Sequence, residues 1–290
     1  MSYDLQPNIL PSQIPKLPDE VFQQLRKFIY ERTGIFFADN KKYLLESRVS
    51  RRLTALGAST FSDYYGALMN GAGSSELCHL INAITINETF FFRNEPQFAA
   101  LETSILPEII EQKRKAGINK VRIWSAASST GEEPYTIGLI IKEKLQPRFP
   151  SVKFDIIGTD INTQVIEVAR RGVYRDYSIR STPKHFLEKY FTREADSFII
   201  SEEIRNAVEF RQLNLFDRDA MKLMKDFDVV FAANVLIYFD FNSKQNVVSS
   251  VYNSLNKGGY FFVGYSETLY GLSQAFKPVH FDKAIAYRKE

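Results

Sequence analysis

The sequence predicts an α/β protein: a parallel sheet covered by helices on both faces, preceded by a helical bundle and interrupted by a small antiparallel insertion. Three observations predict it. From Lys120 onward, short apolar runs alternate with segments of helical periodicity, the texture of strand–helix–strand units buried on both sides. Before that point the chain shows only the helical period, with Gly34 and Gly57 as stops. Between residues 172 and 213 the alternation fails and short strand-like runs take its place. No internal repeat is present.

Composition sets the limits. At 290 residues the chain can form two modest domains or one large one, and 44% hydrophobic with 14% aromatic content can fill a core. A net charge of +3, from 37 basic and 34 acidic residues, argues against a general nucleic-acid binder, so any basic function must be local. A single cysteine, Cys78, excludes an internal disulfide framework and a cysteine-based zinc site. His79, His185 and His280 are scattered, and no metal site is expected from them. The N-terminal stretch lacks the basic-then-apolar pattern of a secretory signal, and no apolar run is long enough to span a bilayer, so a cytoplasmic location is expected without membrane insertion.

Taken in order, residues 1–17 hold Pro7, Pro11 and Pro15 with little periodicity and read as a flexible leader. A helical domain over 18–86 follows. Its first helix is capped by Asp19 and runs to Thr33, with Leu25, Phe28 and Ile29 on the apolar side. The second covers 41–56, with Leu45, Val49, Leu53 and Leu56 in one stripe. Lys41, Arg48 and Arg52 form another stripe, with Arg51 beside it; on the residues alone this is a solvated face or a site for an acidic partner. A third helix covers 61–69 and turns at 70–73, and Ser74 or Ser75 caps a fourth that runs towards Ile84.

Residues 87–119 form a linker and helix. Asn87, Thr89 and Arg93 lie close to Phe90, Phe91 and Phe92, three consecutive aromatics that fit neither period and must be buried from several sides or lie at a junction. The helix over 95–115 should break near Pro107.

The remaining 120–290 carry the sheet. Strands are expected at 121–125, 153–159, 208–213, 228–232 and 260–264, with a closing pair at 279–281 and 284–288. Helices are expected at 132–145, 163–171 and 242–255, with a turn at 257–259. A small β subdomain over about 174–210 contains a short helix at 183–191 and a strand at 198–200.

The turn after the first strand is the centre of the reading. Ala126, Ser128 and Gly131 stand at the spacing of a glycine-rich dinucleotide turn, but only the last is glycine. Glu132 and Glu133 would repel a pyrophosphate, and no lysine lies in the turn. The segment suits a ligand with a cationic or hydroxyl-bearing part. Asp160, at the tip of the second strand, sits where a nucleotide fold places the acceptor for both ribose hydroxyls, or else serves as a helix cap.

Five motifs in this order carry a resemblance: Asn87-x-Thr89-x-x-x-Arg93, Ser129 to Tyr135, Thr159 to Asn162, Asn234 to Asp240, and Gly264-x-Ser266-Glu267. Together they resemble the chemotaxis receptor methyltransferases, the CheR family, across nearly the whole chain. The resemblance implies a Rossmann-like S-adenosylmethionine-dependent methyltransferase sheet. It also implies methyl transfer to glutamate carboxylates on the cytoplasmic helices of methyl-accepting chemotaxis proteins, leaving S-adenosylhomocysteine. By position, Asn87, Thr89, Arg93, Glu133, Asp160, Asn214, Leu215, Ala233 and Asn234 would hold the cofactor. Glu133 would take the methionine amino end and Asp160 the ribose. Arg93 and Tyr238 would face the reacting centre, and Arg48, Arg51 and Arg52 would meet the acidic receptor helix.

The chain departs from the family in having Ala233 where Arg is common and Ser128 where Ala or Cys is common. The short loop 192–197 lacks the glycine that family members docking on a C-terminal receptor tether carry, so strand-addition docking of such a tether is not expected. A monomer is expected separately. Other classes fit less well. A nicotinamide dehydrogenase needs a better glycine turn and a placed histidine. A nucleic-acid methyltransferase usually carries a proline-containing motif where this chain has Asn234-Val235-Leu236-Ile237. A cofactor-sensing scaffold without catalysis has only Ala233 in its favour.

Overall fold

A computed structural model describes residues 16–70 and 73–290, with the side chains of Gly73 and Ser74 left out of the description. The leader expected over 1–17 therefore lies almost wholly outside the described residues, as do positions 71 and 72 of the turn at 70–73. The described residues fall into two compact units, one of 16–32 with Phe36–Thr85, the other of Thr33–Ile35 with Ile86–Glu290.

The first unit is all helical: Asp19–Thr33, Lys42–Leu56, Phe61–Met69 and Gly73–Ile84. Asp19 is the first helical residue rather than the cap before it, and its side chain pairs with Lys42 at 2.6 Å. Lys42–Leu56 ends at Gly57 in the left-handed conformation and buries Leu45, Val49 and Leu53, as its apolar stripe predicts; Leu56 stays exposed. Thr60 closes a reciprocal capping box with Asp63 at the start of Phe61–Met69.

A polar cluster sits inside this apolar bundle. Glu76, 2% exposed, accepts two bonds from Arg52 at 2.9 and 2.7 Å and one from the Tyr64 hydroxyl at 2.8 Å. Burial pushes the Glu76 carboxyl up, but the bonds from Arg52 and Tyr64 outweigh it and hold the group below its ordinary range.

The second unit is organised by a seven-stranded sheet in the order β6-β2-β1-β7-β8-β10-β9. Its strands are β1 Lys120–Ala126, β2 Lys153–Asp160, β6 Val208–Gln212, β7 Phe227–Ala232, β8 Leu255–Val263, β9 Phe276–Phe281 and β10 Ala284–Lys289. The first five run parallel; β10 and β9 close the edge antiparallel.

Successive residues of each central strand point to opposite faces. Ile123, Ile156 and Val229 enter one core, with Ile109 and Ile137 from helices Leu106–Lys115 and Glu132–Ile140. Trp124, Ile157 and Val230 enter the other, with Val247 and Val251 from helix Phe241–Ser254. Both faces are therefore covered, which is why the strands read as unbroken apolar runs.

Chain direction places the site. From β1 the chain moves outward to β2 and β6, then returns to lay β7 and β8 on the other side of β1. The carboxyl ends of β1 and β7 flank the crevice where the order reverses, the position at which open α/β sheets bind ligands.

Three local features differ from expectation, two in the strands and one in the helix before β1. A three-stranded sheet, β3-β5-β4, forms the insertion from Val173–Tyr174, Ser197–Ile200 and Phe191–Glu194; the first and last of these give no periodic signal. The glycines expected to make a turn at 257–259 lie within β8, where the register against β7 shifts. The helix expected over 95–115 is not interrupted at Pro107: it runs through a π turn over Leu101–Ile105, just ahead of the proline, between Glu95–Ala100 and Leu106–Lys115.

The cluster around Glu76 gives a stability prediction. A carboxyl held below its ordinary value stabilises the fold above about pH 4.5, and that stabilisation is lost as pH falls through the lowered value. Glu76→Gln leaves the Arg52 guanidinium half-partnered and should cost about 3 kcal/mol, the lower end for breaking a buried pair, because Arg52 is partly exposed. Urea unfolding followed by circular dichroism at pH 7 checks this; a midpoint equal to wild type contradicts it.

Candidate active site

The segment after β1 takes an unusual path. Ala127, Ser129 and Gly131 all have positive φ, at 58°, 50° and 92°. Only the last suits that region without strain. A side chain at Gly131 would in addition place its Cβ 2.8 Å from Ala169 Cβ and 2.9 Å from the Phe210 ring. The loop is fixed to the end of β2 by two bonds: Ser128 N–H donates to the Thr159 carbonyl at 2.8 Å, and Ser129 N–H to Asp160 Oδ2 at 2.9 Å. The Ser128 hydroxyl is buried with no hydrogen-bond partner among the described residues.

Asp160 is 6% exposed and accepts a second backbone bond, from Asn162 N–H to Oδ1 at 2.9 Å. Burial pushes its carboxyl up, partly offset by these N–H groups. The alternative role as helix cap falls to Asn162, whose side chain accepts from Gln164 and Val165 N–H at 2.8 and 3.2 Å. Asp160 is thus left with unused lone pairs at the carboxyl edge of the sheet.

The two acids that open helix Glu132–Ile140 have separate fates. Glu132 is 1% exposed and accepts from the Thr130 hydroxyl at 2.6 Å; burial raises its carboxyl. Glu133 accepts from the Ser125 hydroxyl at 2.7 Å. Burial pushes the Glu133 carboxyl up to about 7; the Ser125 bond and the Arg93 charge draw it down, and the Glu267 carboxylate adds to the rise. A half-buried acid poised near neutrality at a strand-end crevice is suited to a cationic ligand.

Residues 87–93 cross above this edge. The Asn87 carbonyl accepts from the Ser129 hydroxyl at 2.9 Å. Phe92, with φ 58°, donates its N–H to the Thr136 hydroxyl at 3.1 Å. The three phenylalanines divide: Phe91 packs edge-on against Tyr174 and Phe191, Phe92 packs against Phe98 and Phe186, and Phe90 stays half-buried. The crowded aromatics are therefore anchors for the segment. Arg93 donates to the Glu88 carbonyl at 2.7 Å and lies 5.7 Å from the centre of the Phe90 ring. Thr89 is half-buried on the same segment.

Two more strand ends complete the edge. After β6, Leu213 N–H donates to the Asp160 carbonyl at 2.9 Å, Asn214 Oδ1 accepts from Phe216 N–H at 3.0 Å, and Leu215 is buried. After β7, Ala233 and Asn234 are half-buried, and Asn234 has φ 60°. Tyr238, also half-buried, ends the short turn Leu236–Tyr238. Glu267, from the turn after β8, accepts the N–H groups of Asn234 and Ile237 at 2.7 and 3.1 Å. This carboxylate belongs to the Gly264-x-Ser266-Glu267 motif, but sequence reading gave it no role.

Of the residues singled out in the sequence, Asn87, Thr89, Arg93, Glu133, Asp160, Asn214, Leu215, Ala233, Asn234 and Tyr238 lie on the segments that meet at this edge. Arg48, Arg51 and Arg52 lie in the helical unit and differ from one another. Arg51 is exposed, Arg48 donates to the Ile84 carbonyl, and Arg52 is committed to Glu76.

The acceptor set fits a ligand that carries an ammonium and vicinal hydroxyls. Glu133 is available to the first and Asp160 to the second, while two carboxylates and the absence of lysine from residues 127–131 disfavour a pyrophosphate. S-adenosylmethionine has both features.

Comparison with known proteins agrees. Residues 20–85 match the family model described as CheR methyltransferase, all-alpha domain, and residues 87–285 match CheR methyltransferase, SAM binding domain. Chemotaxis protein methyltransferase 2 of Vibrio cholerae is 37% identical, over 94% of both chains. The chemotaxis protein methyltransferase of Borreliella burgdorferi is 36% identical over 86% of this chain and 88% of its own. That of Escherichia coli is 33% identical over 90% and 88%. With a carboxylate-lined crevice at the sheet's switch point and both family models matched in order, this chain belongs to the CheR methyltransferase family and uses S-adenosylmethionine as its cofactor.

Proposed function

We propose that the protein transfers a methyl group from S-adenosylmethionine to glutamate side-chain carboxylates on the cytoplasmic helices of a chemoreceptor, giving glutamate methyl esters. The observation that carries this reading is Glu133 at the sheet edge, under the charge of Arg93 from the overlying segment, with Asp160 at the tip of the neighbouring strand. Bound S-adenosylmethionine supplies an electrophilic sulfonium methyl and is left as S-adenosylhomocysteine.

The acceptor needs no general base. A glutamate side chain has a pKa of about 4.3 and is already ionised at neutral pH. The protein's task is to align two reactants and keep water out, and positioning of that kind is worth roughly 7–11 kcal/mol.

Glu133 binds the ammonium of the methionine end and Asp160 the ribose diol. Asn87 and Thr89 hold the cofactor from above. Asn214 with Leu215, and Ala233 with Asn234, line its adenine and methionine sides. Ala233 offers backbone only. Arg93 orients a carboxylate, that of the cofactor or that of the acceptor. It orients rather than activates, because a tight ion pair would quench the nucleophile. Tyr238 fixes the acceptor. On the helical unit, Arg51 presents an exposed charge to an acidic receptor helix, while Arg48 and Arg52 are engaged by the Ile84 carbonyl and Glu76.

Three outcomes test this reading. Labelled methyl should enter receptor and be released as methanol by alkali, as a carboxyl ester is. Arg93→Ala should lower kcat/KM by about 10²-fold, the scale of a misplaced reactant; wild-type turnover and cofactor affinity in that variant would remove Arg93 from the mechanism.

Glu133 gives a third. Its carboxyl is raised in the folded protein, so in the apoprotein its contribution to stability is intact below about 4.5 and is lost as pH rises to about 7. An ammonium ligand restores a partner to the ionised form. The thermal stabilisation conferred by S-adenosylhomocysteine should therefore grow from pH 6 to pH 8, and Glu133→Gln should flatten that rise. A rise unchanged in the variant would assign the ammonium to another group.

A further inference from the structure

We propose that Glu267 is the positioning residue for the loop that carries Asn234 and Tyr238, holding two of that loop's backbone N–H groups, with the Gly264 N–H as a third, on one carboxylate. The geometry stands by itself; the consequence for turnover rests on the role given to Tyr238 above.

The turn after β8 folds back on itself, with Glu267 N–H donating to the Gly264 carbonyl at 2.9 Å. This returns the side chain to the strand end. Oε2 accepts from Gly264 N–H at 2.6 Å and from Asn234 N–H at 2.7 Å; Oε1 accepts from Ile237 N–H at 3.1 Å. One side chain thus joins the ends of β7 and β8 and spans the segment that leads into Tyr238.

Two features show that this arrangement is held. Asn234 has φ 60°, a left-handed conformation that asparagine tolerates better than most non-glycine residues and that the bond from its N–H to Glu267 holds in place. Gly264 has no room for a side chain: a Cβ there would lie 2.7 Å from Glu267 Oε2 and 2.8 Å from Asn234 N. The close approach of the two loops requires both the glycine and the carboxylate.

A carboxylate is the side chain for this task because both its oxygens accept and neither donates. Gln has one acceptor oxygen, and its amide would face an N–H donor at the other position. Asp keeps the charge but is one methylene shorter. The charge has a second effect. The charged groups facing Glu133 are Arg93, from the segment above, and Glu267, from the turn after β8; the Ser125 hydroxyl contacts it from β1. The negative charge of Glu267 therefore favours the protonated form of Glu133.

The test compares Glu267→Gln and Glu267→Asp with wild type in the full chain. In the apoprotein, amide hydrogen exchange at Asn234, Ile237 and Gly264 should lose protection in both variants, while the amides of β1 keep theirs. Turnover at saturating S-adenosylmethionine should fall by about 10²-fold. The acidic limb of S-adenosylhomocysteine binding should move to lower pH in Glu267→Gln and stay in place in Glu267→Asp. The proposal is overturned if Glu267→Gln retains protection at the three amides, or if turnover falls only by the fraction unfolded. If wild-type protein transfers no methyl to receptor, the functional reading fails, and hydrogen exchange still decides whether Glu267 holds the loop.

Discussion

Asp160 accepts the Ser129 N–H at 2.9 Å and the Asn162 N–H at 2.9 Å, and the site is built outward from those two bonds. They tie the loop after β1 to the tip of β2 and hold Ser129 at a φ it would not choose alone. Ser129 in turn donates its hydroxyl to Asn87, which brings the overlying segment down onto the sheet edge. The carboxylate that fixes the loop is also the one proposed to receive the ribose. A ligand there meets an acceptor whose orientation is already set, so little ordering is needed on binding.

The sheet supplies the rigidity this requires. Its central strands are buried on both faces, and aromatic stacking between Phe231, Phe262 and Phe98 continues to the strands' carboxyl ends. Strain is concentrated at that edge. Phe92, Ala127, Ser129 and Asn234 all have positive φ without being glycine, and all four lie on segments that form the crevice. For the three other than Asn234, which tolerates this region best, the cost is of order 1–3 kcal/mol each, and it persists because the neighbours over-determine the conformation. The neighbours here are named: Thr136 for Phe92, Asp160 for Ser129, Glu267 for Asn234.

Much of this was legible in the sequence because it is written locally. Helices Phe61–Met69 and Thr163–Arg171 fall where periodicity and stop residues place them, and the parallel sheet follows from apolar runs separated by helical stretches. Asp160 and Glu133 could be picked out as acids at the ends of predicted elements. What was not legible depends on contacts distant in sequence. Strands Val173–Tyr174 and Phe191–Glu194 are too short for a period and exist through pairing with Ser197–Ile200. Helical spacing put Arg52 on a basic face; only the fold reveals Glu76 against it. The motif holding Glu267 was visible, but nothing local says that its carboxylate reaches back to amides in the loop after β7.

Calorimetric titration of the purified protein with S-adenosylhomocysteine tests the central claim most directly, with Asp160→Asn alongside. The account predicts one site per chain, and in the variant an affinity lower by about 10-fold or more, since a bond to a charged group is worth roughly 1.5–3 kcal/mol. Absence of binding to wild-type protein, or equal affinity in the variant, would contradict it.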